Sequence, residues 1–203
     1  ERYQDYLTRY YRLVTEVDAA VGRLLDELTA QDVARNTVVI FIGDNGYFQG
    51  DRGLADKWYP YEESIRVPLL VRDPRLPAAR RGQVVDAMTL NIDVAPTIVG
   101  AAGRQAPAVM QGRDLSPLYL GDRPPAWRDE FFYEHPTITS KDRIPSSLAV
   151  VRRDWKYVRW PEFDHEQLFD LVRDPDEFRS LVGSPEHAGL LATARARLAE
   201  WMA

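Results

Sequence analysis

The sequence predicts an α/β chain: part of a mostly parallel sheet with flanking helices, followed by a small antiparallel sheet closed by a helix. Three observations carry this. Residues 1 to 30 repeat apolar side chains at spacings of three and four, residues 37 to 42 hold a run that is apolar on both faces, and short alternating stretches between turn residues follow residue 126. The first pattern is one face of an amphipathic helix. The second is how a strand covered on both sides in a parallel sheet reads. The third is the signature of antiparallel strands.

Composition sets the frame. A chain of 203 residues, 45% hydrophobic and 28% charged, is long enough for one or two domains with ordinary globular cores. Its net charge of −5, with Lys and Arg scattered, argues against a nucleic-acid partner. No apolar run approaches the roughly 20 residues of a membrane span. The absence of cysteine excludes disulfides and thiolate metal sites.

Taken in order, the first helix places Leu7, Tyr10, Tyr11, Val14, Val17, Val21, Leu24, Leu25 and Leu28 on one face and Arg9, Arg12, Glu16, Asp26 and Glu27 on the other. It is expected to pack on the sheet. Gln31 to Asn36 reads as the loop into the strand at 37–42. That strand stops at Gly43, and Asp44, Asn45 and Gly46 follow. Asn-Gly between apolar runs also signals a hairpin, against which the loop-like stretch Gln49 to Gly53 weighs. In an open α/β sheet, ligands sit beyond the carboxyl ends of the strands, where Asp44 and Asn45 fall. A carboxylate beside an amide carbonyl gives two oxygen donors, which suit Ca²⁺ or Mg²⁺.

A second strand is expected at Val67 to Val71, with Pro68 placing it at an edge or a strand start. Glu62 and Glu63 read as structural ion pairs, for example Glu63 with Arg66 on one helical turn, rather than as catalytic carboxylates. Residues 73 to 83 read as a surface loop and Val84 to Leu90 as a strand. Asp93 is placed to cap a helix with Val94, Ile98 and Val99 on its buried face, ended by Gly103. The turn signal Gly121 to Pro125 marks a boundary between residues 1–125 and 126–203. Beyond it, strands are expected at Glu130–Glu134, Ser147–Arg152, Lys156–Trp160 and Gln167–Asp170, then a helix over 186–203 with Leu190, Leu191, Ala194, Leu198 and Trp201 inward. His135, His165 and His187 lack metal-ligand spacing. Trp155, Tyr157 and Trp160 are explained more cheaply by core packing than by a carbohydrate cleft.

Residues 37–74, TVVIFIGDNGYFQGDRGLADKWYPYEESIRVPLLVRDP, resemble the second half of a type I sulfatase of the alkaline-phosphatase-like superfamily. The shared features are a strand ending in Asp-Asn, Gly-x-x-Gly-Leu leading to a lysine, and Tyr-Glu-Glu-Ser-x-Arg-Val-Pro. The resemblance implies that Asp44 and Asn45 ligate an active-site divalent metal and that Lys57 contacts the sulfate group. Asp-Asn rather than Asp-His supplies only oxygen, which favours Ca²⁺. Many family members carry Gly-Glu-His-Gly where this chain has Gly50-Asp51-Arg52-Gly53, so Arg52 either reaches an anionic substrate or faces solvent.

The implied activity is hydrolysis of a small-molecule or carbohydrate sulfate monoester by a formylglycine made from Cys or Ser. No Cys is present, and Ser116, Ser146 and Ser184 lack the required followers. The chain opens at Glu1 within a helical pattern, so the expectation is a fragment whose missing amino-terminal half carries the nucleophile and the other metal carboxylates. Two alternatives stay open: a phosphodiesterase or phosphonate monoester hydrolase of the same superfamily, and a non-catalytic binding module. An orphaned sheet edge also invites a homo-oligomer.

Overall fold

The computed structural model describes residues 2–121 and 126–203, so the expected boundary at 125/126 falls at residues outside the described ones. In chain order the elements are α1 (Arg2–Ala30), β1 (Val39–Ile42), β2 (Phe48–Gln49), β3 (Ala55–Asp56), α2 (Glu62–Ile65), β4 (Leu69–Arg72), α3 (Val94–Ala101), α4 (Ser116–Leu120), β5 (Glu130–His135), β6 (Ser147–Arg152), β7 (Trp155–Trp160), β8 (His165–Asp170) and α5 (Ala188–Met202). They form two compact units. One comprises Glu1–Gly43, Pro68–Val85 and Ile92–Asp122, the other Asp44–Val67, Asp86–Asn91 and Arg123–Ala203.

In the first unit, α1 has the predicted amphipathic pattern, yet none of its described residues is buried. Tyr11, Leu13 and Leu24 are each about two-thirds exposed. Leu7, Val21, Leu25 and Leu28 of the predicted face are half-buried, and packing on a broad sheet is not found among the described residues. The sheet of this unit has two strands, β1 and β4, paired antiparallel from Val39↔Arg72 to Ile42↔Leu69. No parallel neighbour of β1 occurs among the described residues, and the directly paired Phe41 and Leu70 are exposed. A strand apolar on both faces thus has one neighbour where its composition suits two. Pro68 precedes β4, as a residue without an N–H donor should.

Two further expectations in the first unit are corrected. The Asp93 carboxylate does not cap α3; it is fully buried and accepts the Arg113 N–H at 2.8 Å. The buried face of α3 is Pro96 and Thr97, while Ile98 is exposed. Thr97 makes this face polar but satisfied, its hydroxyl donating to the Asp93 carbonyl and accepting from the Leu115 N–H. Gly103 does end the helix: its φ is +70°, and Arg104 N–H reaches back to the Val99 carbonyl at 3.1 Å.

The expected strand at 84–90 is irregular instead. Within the second unit, the Met88 carbonyl accepts from the Trp127 indole N–H at 2.7 Å rather than from a neighbouring strand. That unit is built on the predicted antiparallel sheet, whose strands run in the order β5-β6-β7-β8. Val150, Trp155, Tyr157 and Leu168 pack with Ala194 and Leu198 of α5 on one face. Ala149, Val151, Val158, Trp160 and Phe169 pack with Tyr59, Tyr61 and Ile65 on the other. Trp155, Tyr157 and Trp160 are accordingly core residues, with at most 6% of their surface exposed. Trp201 stacks on Phe132 with ring centroids 6.1 Å apart. The sheet is thus covered on both sides, once by the terminal helix and once by the segment that follows Lys57.

Candidate functional site

The site residues lie in the second unit, and their placement begins with a glycine. Asn45-Gly46 is not a hairpin turn; the short hairpin lies further on, where β2 and β3 pair as Phe48↔Asp56 and Gln49↔Ala55. Gly46 N–H donates to the Ser64 carbonyl of α2 at 2.7 Å. A Cβ at Gly46 would lie 2.1 Å from the Glu63 carbonyl oxygen, so only glycine allows this approach. Gly46→Ala should lower the unfolding free energy by about 1–3 kcal/mol, the range for overpacking a tight site. Urea denaturation would measure it, and an unchanged midpoint would show that the loop yields freely.

This contact fixes the two preceding side chains. Asn45 is half-buried; its amide nitrogen donates to the Gly46 carbonyl at 2.7 Å, leaving its oxygen to accept from the Lys57 ammonium at 3.0 Å. The Asp44 carboxylate is exposed and accepts the Asn45 backbone N–H at 2.9 Å. Residues 12 apart in sequence therefore meet, and an acid, an amide and an ammonium stand in one short loop system. Lys57 also lies 5.1 Å from the Trp58 ring, whose edge meets His135 with ring centroids 5.6 Å apart. Asp56 and Trp58, on either side of Lys57, have φ of +72° and +92°. Such angles are costly for residues with a Cβ and cluster at functional sites.

Arg52 does not face solvent. Its guanidinium pairs with Glu63 at 3.1 Å, donates to the carbonyls of Asp176 and Glu177, and stacks 4.4 Å from the Tyr61 ring. The predicted ion-pair role of Glu63 holds with a different partner: Arg52, not Arg66. Glu62 pairs with Lys156 at 2.7 Å.

The sequence reading missed Lys156. The signal was present, because Trp155-Lys156-Tyr157-Val158 sets a charge in an apolar strand that is covered on both faces. His135 ends β5 and carries a buried ring nitrogen, Nδ1, without a hydrogen-bond partner.

The donors fit a hard divalent cation in kind. Asp44 and Asn45 offer oxygen only, two of the six to eight ligands that Ca²⁺ takes. Among the described residues no group of three His, Cys, Asp or Glu side chains could hold a metal. The pair therefore fits part of a coordination sphere, with the Asn45 oxygen shared with the Lys57 ammonium.

The family "N-sulphoglucosamine sulphohydrolase, C-terminal" matches residues 50–203. The chain is 31% identical over 190 residues to an N-acetylglucosamine-6-O-sulfatase of Bacteroides thetaiotaomicron, a match covering 92% of this chain and 34% of that protein. It is similar to a solved structure described as being in complex with its substrate D-glucosamine-2-N,6-O-disulfate, with a TM-score of 0.84 at 30% identity, covering 92% of this chain and 38% of the other. A phosphonate monoester hydrolase from Silicibacter pomeroyi aligns with a TM-score of 0.81 at 29% identity, over 93% of this chain and 39% of that one. The chain thus spans about a third of the length of these relatives. The α/β architecture is that of sulfatase structures, the family match covers more than half of the sequence, and the chain belongs to the sulfatase family, corresponding to the carboxyl-terminal portion of its members.

Proposed function

We propose that the protein carrying this chain hydrolyses a sulfate monoester, and that the chain supplies part of the metal and sulfate site. The observation that carries the reading is the 3.0 Å contact between the Lys57 ammonium and the Asn45 side-chain oxygen, next to the exposed Asp44 carboxylate. Asp44 and Asn45 would hold a divalent ion, Ca²⁺ by their all-oxygen chemistry. When bound, such an ion polarises the ester and lowers the pKa of an attacking hydroxyl. Lys57 would bind a sulfate oxygen as a point charge and offset the negative charge that grows on the leaving group. The formylglycine nucleophile is proposed to lie outside this sequence. A carbohydrate sulfate is the favoured substrate class, supported by what the similar proteins are named for.

The metal part is tested by calorimetric titration of Ca²⁺ into the chain. Binding is expected, with Asp44→Ala weakening it by about tenfold or more, since ligand charge sets affinity in oxygen sites. Equal binding by the variant, or none by the wild type, would sink the assignment. Absence of a metal site would favour the binding-module alternative. A second reading, phosphonate or phosphodiester hydrolysis, is favoured by the likeness to the phosphonate monoester hydrolase. Comparing 4-nitrophenyl sulfate with 4-nitrophenyl phenylphosphonate as substrates of the enzyme separates the two.

A further inference from the structure

We infer that Glu177, together with Lys156, is a positioning residue for Asn45 and Lys57, although neither touches those two side chains. Lys156 rises from β7 with no exposed side-chain surface, between Glu62 at 2.7 Å and Glu177 at 2.6 Å. Its ammonium also donates to the Pro60 carbonyl at 3.1 Å. The second oxygen of Glu177 accepts the Glu62 backbone N–H at 2.9 Å. The buried pair therefore grips residues 60–62, at the start of α2. One residue beyond lies the Glu63 carbonyl that excludes any side chain at Gly46, and the next carbonyl, of Ser64, receives the Gly46 N–H.

The other end of the loop is fastened to the same place. Arg52 donates to the Asp176 and Glu177 carbonyls and lies 3.7 Å from the Glu177 carboxylate. Arg52 and Glu62 bracket Lys57 in sequence, so the loop that carries the ammonium has both feet tied to residues 176–177. Gly46, and with it Asn45, rests against the α2 turn that this anchor fixes. The small sheet is then a part of the site's geometry rather than an appendage. A charge pair taken wholly out of water loses its own solvation, which makes it a poor means of adding stability. Here the cost is matched by a definite placement of two segments distant in sequence.

The functional meaning of this inference rests on the roles proposed for Asn45 and Lys57, so the test is built to stand without metal or substrate. Amide hydrogen exchange is followed by NMR in calcium-free buffer on the full chain and on Glu177→Gln. That variant keeps an oxygen for the Glu62 N–H and leaves Lys156 its contacts to Glu62 and Pro60. Arg52→Lys is the second variant, for the case that Glu177→Gln does not fold; it keeps the charge and loses the two-carbonyl grip. The expected result is exchange of the Gly46 amide faster by about tenfold or more, with the β6–β7 ladder amides within about twofold of wild type. The Asn45 side-chain amide resonances should move with it. Unchanged exchange at Gly46 would overturn the inference, as would an equal rise at Gly46 and in the ladder, which is general loss of stability. Failure of the wild type to bind Ca²⁺ would strike at the metal assignment and leave the exchange result as it stands.

Discussion

Lys156→Met is expected to lower the unfolding free energy by about 3–5 kcal/mol, the range for removing one member of a buried ion pair. Methionine fills much of the volume, so packing changes little. What remains is the Glu177 carboxylate, with no exposed side-chain surface, its 2.6 Å cation gone and only the Arg52 guanidinium 3.7 Å away. Burial already pushes the Glu177 carboxyl above its ordinary range, and Lys156 works against that push. Without Lys156 the carboxyl should be protonated in the folded state at a still higher pH. A group whose pKa is raised by folding favours the folded form below its unfolded pKa, and that advantage is lost as pH rises through the folded one. The deficit of Lys156→Met should therefore be larger at pH 8 than at pH 5. Urea denaturation followed by fluorescence of the core residues Trp155 and Trp160 would read both values. The double variant Lys156→Met/Glu177→Gln should recover part of the loss, because the stranded charge is removed with its partner. A single variant as stable as the wild type at pH 8 would mean that the pair is not closed off from water.

Lys57→Ala carries the largest expected effect on activity. In the enzyme containing this chain, kcat/KM for 4-nitrophenyl sulfate should fall about 10²–10³-fold, the usual cost of removing one preorganised charge stabiliser. The fall should be mainly in kcat, since in the proposed role the ammonium would answer charge that grows along the reaction path. Stability should move little, because Lys57 is only half-buried and its Asn45 partner keeps the Gly46 carbonyl. Lys57→Arg should restore little: a planar guanidinium cannot take the place of a compact ammonium 3.0 Å from an amide oxygen. Turnover by Lys57→Ala within a factor of two of wild type would remove Lys57 from the reaction.

What could be read in the sequence divides along a physical line. The four strands of the second unit and the helix over 188–202 follow from local periodicity, and their ends shifted by one or two residues. Asn45 and Lys57 were singled out together through a motif, and the structure brings them within hydrogen-bonding distance. The partner of β1 was not legible. Apolarity on both faces says how much cover a strand wants and not which direction its neighbour runs; in this chain the neighbour is β4, which runs antiparallel after the excursion over residues 43–68. The exposure of α1 was equally hidden, because a helical stripe is the same whether or not anything covers it. The network of Arg52, Glu62, Glu63, Lys156 and Glu177 joins residues about a hundred positions apart, and charges at such separations leave no period. Asp93 shows a local rule losing to a distant one: its carboxylate satisfies Arg113 N–H instead of its own helix end.

The left-handed backbone on both sides of Lys57 has a thermodynamic corollary. A chain already confined at Asp56 and Trp58, with the ammonium steered by an amide and an indole, has little freedom left to surrender when an anion arrives. Most of the ordering cost is met while the polypeptide folds. Capture of a sulfate there would then show a small entropic penalty for the protein, and its strength would follow the charge it meets rather than the mobility it arrests.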